Sequence, residues 1–423
     1  MSLSSPQSRP DSSFVKEGEC LVSPCHLLSR QPILDPQRHL FGYELFLCPG
    51  VAHECNPELT TREAVDHWLM LVPEPNQGSA FIPCAAGALT EGLVTLLPAA
   101  NTVLILDASA PPAPGVLQAA ITLRQLGYRF AIDGLVPRSE LEPLVQLAGF
   151  IRIDFQTCDF ADRRALYVMA AGHPMQLMAR NVENDIQMRI ARSEGCSLFQ
   201  GSFFSQPVLV SSRPVPQNHL VYLRLLGALH EVPADLRKVE KLISGDTSLC
   251  YRVLRLANSA MQGHPSPITT IREALLMVGE DAIRKIATVA VAGALISGRS
   301  TTLASMALSR ACFCELLASS LFESPARMHL LGMISMLDVL LETPMSRILQ
   351  TLPISSEMKS ALAGDESGPG RVLALVRSLE ACDWPHCQEA QRLLGLEEAW
   401  VAATYVKALR DASAMLQEIF SPV

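Results

Sequence analysis

Hydrophobic and polar positions follow two rhythms along the chain, and the change between them falls near residue 210. Before it, short β-branched or aromatic runs alternate with longer amphipathic segments. LLSRQPILD, LFGYELFL, SAFIPC, TVLILD, YRFAID, GFIRID, MQLMA and SLFQG read as strands. TREAVDHWLMLV (61–72), APGVLQAAITLRQLG (113–127) and RSELEPLVQLA (138–148) place apolar residues at helical spacing between them. A strand–helix–strand unit repeated about seven times implies a parallel sheet with helical crossovers, which closes naturally into a barrel.

The stretch SSRPVPQN (211–218) reads as a linker, and the strand signal stops there. Beyond it come successive helices, among them SLCYRVLRLANSAM, TIREALLMVG, DAIRKIATVAVAGALI, LASMALSRACFCELLASSL, RMHLLGMISMLDVLLE and EEAWVAATYVKALRDASAMLQEIF. Asp246 and Thr270 stand at expected helix starts, and Gly279 at a stop. The pattern predicts a TIM-like α/β barrel over residues 21–212, an all-α domain over 213–423, and a disordered Ser/Pro-rich tail over 1–20.

Composition narrows the function classes. A chain of 423 residues, 49% hydrophobic, holds enough apolar surface for two cores. The net charge of −8, with no long basic run, counts against nucleic acid as a partner. The longest uncharged apolar run, Ile286 to Gly298, is shorter than the roughly 18 to 20 residues of a membrane span, so no membrane insertion is expected. The opening MSLSSPQSRPDSS lacks the apolar centre of a secretion signal, and twelve cysteines include no C-x-x-C pair. A cytoplasmic protein is the expectation.

In such a barrel, chemistry belongs at the carboxyl ends of the strands, where the loops converge. Those ends carry Glu44, Pro83, Asp107, Asp133, Asp154, Arg180 and Gln200. Four carboxylates on one rim could ligate Mg²⁺ or Mn²⁺, which prefer oxygen donors. The commoner reason for an acid there is to cap a helix or accept from loop amides.

RQPILD, GYELFL, FAIDG, GFIRIDF, ARNVEN and FQGSFFSQP, in this order and spacing, resemble the EAL family of bacterial cyclic di-GMP phosphodiesterases over roughly residues 22–210. SGDTSLCYRVLRLANSA (244–260) and SPITTIREALLMVG (266–279) resemble the opening of an HDOD domain, over roughly 215–410. The resemblance puts Glu44 in the place of the signature glutamate, Asp133 at the first aspartate of the Asp-Asp-Phe-Gly motif, and Gln200 at the glutamine before the late glycine. Five of its eight catalytic or metal positions are substituted: Pro83 for asparagine, Ile105 for glutamate, Gly134 for the second aspartate, Arg152 for lysine, and Arg180 for the first acid of the Ala-Glu-x-Val-Glu motif. Glu183 remains as that motif's second acid, and Cys48 replaces a phosphate-contacting arginine.

Hydrolysis by two metals requires an oxygen cage that activates water and stabilises both the attacking and the leaving oxygen. With that cage depleted, the expectation is a non-catalytic signalling protein with no metal cofactor and no ligand-binding residues at the mouth. Its two domains would contact other signalling proteins; cyclic di-GMP is not favoured as a ligand, and self-association is left open. The competing readings are a cyclic di-GMP phosphodiesterase using Mg²⁺ or Mn²⁺ on Glu44, Asp107, Asp133 and Asp154, or a cyclic di-GMP receptor without catalysis. Arg152 suits an ion pair with Asp133 or Asp154, and Glu44 a loop amide or one of the new arginines. In the helical half, Ser335-Met336 stands where the related HD phosphohydrolases carry their His-Asp pair. His329 and His386 lack a second ligand at helical offset, so backbone satisfaction of a lone histidine is expected, and the methionines of RMHLLGMISM read as core filler.

Overall fold

The computed structural model describes residues 28–47, 61–62, 64–66, 78–109, 112, 115–135, 142–204, 217–230, 235–260, 268–295, 301–321, 323–341 and 343–420. The expected tail over 1–20, most of the linker, Cys48 and most of the expected 61–72 helix lie outside them.

Eight strands close into a barrel in sequence order. They are β1 (Leu28–Leu34), β2 (Leu40–Leu47), β3 (Ser79–Pro83), β4 (Thr102–Asp107), β5 (Arg129–Asp133), β6 (Phe150–Asp154), β7 (Gln176–Arg180) and β8 (Leu198–Gln200). Neighbours from β2 to β8 are parallel, but β1 runs antiparallel to both β2 and β8. This departs from the all-parallel expectation, and the cause is local. Only residues 35–39 join β1 to β2, far short of the dozen or so that a parallel crossover needs. Asp35 Oδ1 accepts from the backbone N–H of Gln37 and of His39, both at 2.8 Å, and Arg38 takes a left-handed φ of 64°, which together close a hairpin.

Side chains alternate across each strand, so two layers form. Leu104, Leu106, Phe130, Ile132, Ile151, Ile153 and Phe199 face outward onto the Val116–Gln125, Glu142–Leu147, Phe160–Ala170 and Asp185–Ser193 helices. Ile33, Phe81, Val103, Ile105, Ala131, Phe150, Met178 and Leu198 fill the lumen. Phe41, Phe81 and Phe150 meet tilted or edge-on there, with centroids 5.4 to 6.2 Å apart. Continuing the same face toward the mouth leads from Phe81 to Pro83, from Val103 to Asp107, from Ala131 to Asp133, from Phe150 to Arg152 and Asp154, from Met178 to Arg180, and from Leu198 to Gln200. A dry apolar plug therefore carries a polar rim.

The second half is helical from Gln217 to Phe420 among the described residues. The start signals act as expected. Asp246 Oδ1 accepts from the N–H of Leu249 at 2.9 Å, and Thr270 Oγ1 from that of Glu273 at 3.1 Å, while Glu273 reaches back to the N–H of Thr269. Gly279, at φ 86°, ends that helix. Asn258 ties the preceding segment down: its amide donates to the carbonyls of Leu254 and Ile268 and accepts from the N–H of Ile268. Met328, Met333 and Met336 are buried in the core, as filler residues should be. His329 departs from its expectation, since its Nδ1 faces Glu315 Oε2 at 2.9 Å instead of a backbone group. His329 lies on the Pro325–Ile334 helix, packed on Thr301–Ala318, whose own acid, Glu315, supplies that partner.

Gly42 sets the spacing that aims Glu44, two residues on, into the lumen. It pairs with Ser79 of β3, and a Cβ at Gly42 would lie 2.1 Å from the Ser79 carbonyl oxygen. Gly42→Ala is expected to destabilise the chain by about 1 to 3 kcal/mol through overpacking. Urea unfolding checks this as a lowered midpoint at constant slope; an unchanged midpoint would show that β2 and β3 are not held this closely.

Candidate functional site

All seven strand-end residues read from sequence converge on the rim of one lumen. Glu44 is its innermost acid, 2% exposed. Its Oε2 accepts from Arg152 Nη2 at 2.6 Å and from Gln200 Nε2 at 2.7 Å. Arg152 sits two positions above Phe150 on β6, with 1% of its side chain exposed, and its Nη1 lies 3.1 Å from Asp133 Oδ2. Gln200 Oε1 in turn accepts from Arg152 Nη2 at 3.4 Å. Arg152 thus finds Asp133, one of the two alternatives that the sequence offered, and pairs with Glu44 as well. Of the two partners expected for Glu44, it has the arginine.

Arg180 closes the rim above. Its Nη1 donates to the same Asp133 Oδ2, and its Nε is 3.8 Å from Asp154 Oδ2. Parallel registration opposes Asp107 to Asp133 and Asp154 to Arg180, which brings these groups level. The two outer acids are engaged by their own loops. Asp107 Oδ1 accepts from the N–H and the hydroxyl of Ser109. Asp154 Oδ1 accepts from the N–H of Gln156 at 2.8 Å, and its Oδ2 accepts from Asn181 Nδ2 at 2.8 Å. Asn181 and Ser109 were not singled out from sequence, although Asp-x-Ser at a strand end signals this kind of turn.

The substituted positions fall where the register puts them. Ile105 is buried in the lumen plug, Pro83 offers only its carbonyl, which accepts from Thr61 Oγ1, and Gly134 takes φ 63° with its N–H on Asp133 Oδ1. Glu183 lies beyond β7, where its N–H donates to Gln187 Oε1.

The electrostatics follow from burial. Desolvation by itself pushes the Arg152 guanidinium's pKa down, but Glu44, Asp133 and Asp154 outweigh it and raise the pKa. Arg152 is a permanent cation inside the barrel. Two guanidiniums therefore stand among four carboxylates, and among the described residues no group of three or more His, Cys, Asp or Glu is placed to hold a metal ion. In this arrangement the donors do not fit a pair of divalent cations.

Comparison with known proteins adds the wider setting. Residues 215–351 match the HDOD domain model. The chain is 29% identical to the cyclic di-GMP phosphodiesterase CdgJ of Vibrio cholerae over 90% of this chain and 91% of the relative. It is 27% identical to the uncharacterized protein YuxH of Bacillus subtilis, over 90% and 97%. A solved structure of the Bacillus subtilis YkuI protein, with an EAL domain in complex with substrate cyclic di-GMP and calcium, aligns at 17% identity with a TM-score of 0.35, over 59% of this chain and 72% of that one. A closed eight-stranded barrel is followed by a helical half in which residues 215–351 match the HDOD domain model. No helix among the described residues is long and apolar enough to cross a membrane.

These relatives correct the sequence expectation on three counts. It held the chain to be no enzyme, to use no cofactor, and to be a poor candidate for cyclic di-GMP. The Vibrio relative, matched over nearly its whole length, is named a phosphodiesterase of that dinucleotide.

The buried triad gives a direct test. Arg152→Met leaves the Glu44 carboxylate buried with only the Gln200 amide to answer it, while Asp133 keeps Arg180, and is expected to cost about 3 to 5 kcal/mol. Adding Glu44→Gln to that variant should recover much of the loss. Denaturant unfolding of the two variants checks it; equal stability of Arg152→Met and the parent chain would show that the lumen is wet.

Proposed function

We propose that cyclic di-GMP is the substrate of this chain, taken at the barrel mouth, and that the reaction is hydrolysis of one phosphodiester bond to a linear dinucleotide. In this reading the barrel, over residues 21–212, holds the site, and the helical domain, over 213–423, packs on its outer wall. The observation that carries it is the match along nine-tenths of the chain to a protein named for that activity. The rim geometry supports it, since four acids and two guanidiniums meet at the carboxyl ends of the strands.

Each rim residue then has a role that its surroundings set. Arg180 keeps 24% of its side chain open to solvent and holds Asp133 through one nitrogen, so an incoming phosphodiester can compete with Asp133 for its planar fork. Arg152 is sealed below by the phenylalanine plug and cannot follow. It remains a fixed positive charge beneath the phosphate, oriented before the ligand arrives. Gln200 and Arg152 together fix the direction of the Glu44 carboxylate, the acid nearest the centre of the lumen.

The purified full chain, given cyclic di-GMP with and without Mn²⁺, should yield linear product by chromatography, and Glu44→Ala should remove it. Calorimetry should show Arg180→Ala binding more weakly by about ten- to a hundredfold, the range for losing a charged hydrogen bond. Absence of binding at high micromolar ligand would overturn the reading, and binding without product would remove its hydrolytic part.

A further inference from the structure

Arg180 ends β7, and the next residue, Asn181, takes a left-handed backbone at φ 54°. Asparagine tolerates that region better than most residues, because its short amide can bond locally. The bend is imposed from the far side. Val182 N–H donates to the Gln200 carbonyl at 2.9 Å, and the Val182 carbonyl accepts from the N–H of Phe203 at 3.1 Å. A Cβ at Gly201 would lie 2.1 Å from that Val182 oxygen, so β8 and Val182 are in close contact. The chain must turn at Asn181 to keep Arg180 on the rim and Val182 against β8.

Three hydrogen bonds tie this turn to the loop after β6. The N–H of Phe155 donates to the Arg180 carbonyl at 3.1 Å, Gln156 Nε2 to the Asn181 carbonyl at 3.1 Å, and Asn181 Nδ2 to Asp154 Oδ2 at 2.8 Å. Asp154 Oδ1 is taken by the N–H groups of Gln156 at 2.8 Å and Thr157 at 3.3 Å. With one oxygen on its own loop and the other on Asn181, this carboxylate is held in one orientation. Its Oδ2 stands 3.8 Å from Arg180 Nε.

Two acids therefore bound the Arg180 guanidinium, and they are held differently. Asp154 faces Nε and is satisfied without it, by the two loop N–H groups and the Asn181 amide. Asp133 engages Nη1, and if that contact opens it still has Arg152 Nη1 at 3.1 Å and the Gly134 N–H at 3.0 Å. Nη2 has no partner among the described residues, and 24% of the side chain reaches solvent. A planar guanidinium fixed along its Nε edge presents its terminal pair, Nη1 and Nη2, to an oxyanion.

We infer that Asn181 is a positioning residue for the mouth: it fixes Asp154, Asp154 fixes the plane of Arg180, and an arriving phosphodiester displaces Asp133 and not Asp154 from the guanidinium. This rests on the reading of Arg180 as the residue that takes the phosphodiester. Asn181 itself touches no ligand. It orients the fork before binding, so the ligand does not bear the cost of ordering a long, flexible side chain.

Asn181→Gly in the full chain tests this, because glycine accepts the same backbone and only the amide is lost. In NMR relaxation of the ligand-free chain, the Arg180 Nε–H signal, identified by its absence from Arg180→Ala, should lose order. The Arg152 Nε–H and the backbone N–H of Val182 should not. By calorimetry, Asn181→Gly should bind cyclic di-GMP about three- to tenfold more weakly than the parent, the range for one hydrogen bond. Combined with Arg180→Ala it should bind no more weakly than Arg180→Ala alone, since its effect passes through that arginine. The inference is overturned by an Arg180 Nε–H as ordered as in the parent, by a loss of order that Val182 shares, by an affinity equal to that of a parent that binds, or by the same loss in both backgrounds. If no form binds cyclic di-GMP, the substrate reading fails and the relaxation data alone decide the role of Asn181.

Discussion

A guanidinium sealed inside a barrel must be answered by carboxylates, and the rest of the mouth is arranged around that necessity. Removing an ion such as Arg152 from water costs several kcal/mol even after relaxation, and only close, well-directed acids offset it. Glu44 and Asp133 do so, and Gln200 adds an acceptor, while the buried Nε has no hydrogen-bond partner among the described residues. These groups come from β2, β5, β6 and β8, so one cation ties together strands from around the whole circumference. The phenylalanine plug makes the tie strong by excluding water from below.

The same constraint sorts the four acids by availability. Asp107 and Asp154 are oriented by turns within their own loops, through Ser109 and through Gln156 and Asn181. Glu44 and Asp133 are oriented by guanidiniums instead. A carboxylate shared with a guanidinium is a weaker donor to any other cation, because its lone pairs and its charge are already engaged. An anion arriving at the mouth meets the opposite situation, since Arg180 is shared between two acids and lies nearest to solvent. Of the two guanidiniums, Arg180 is the one that an arriving anion can reach, with 24% of its side chain exposed against 1% for Arg152.

Much of this was legible in the sequence, and what was not has identifiable causes. Strand alternation placed Glu44, Asp133, Arg180 and Gln200 on one rim because a period of two needs only local information. The antiparallel β1 was also local, written in a five-residue link bounded by strands, but barrel periodicity masked it. Partner identity was different. Arg152 and Glu44 are 108 residues apart, and the choice of Glu44 over Asp154 depends on how far the side chain reaches across a closed lumen. His329 follows the same rule, since Glu315 lies on a separate helix. Counting substituted positions misjudged activity, because the count measures distance from a motif while a relative matched over nine-tenths of the chain carries the name of a phosphodiesterase.

The hairpin between β1 and β2 also explains why the two domains meet where they do. A crossover helix normally covers the outer face of each barrel strand, and it comes from the connection to the next strand. The β1–β2 connection is too short to contain one, so the wall at Arg30, Pro32 and Tyr43 would face water. The Gly368–Ala381 and Glu398–Phe420 helices pack on β1 in its place, and Val406 of the second joins Leu45, Ala80 and Ile82 in one buried cluster. Cover borrowed from another domain fits a curved sheet less closely than a crossover helix does. The strand that these helices cover on its outer face presents Glu44 on the inner one. A single β-strand therefore separates the helical half from the barrel mouth at this point.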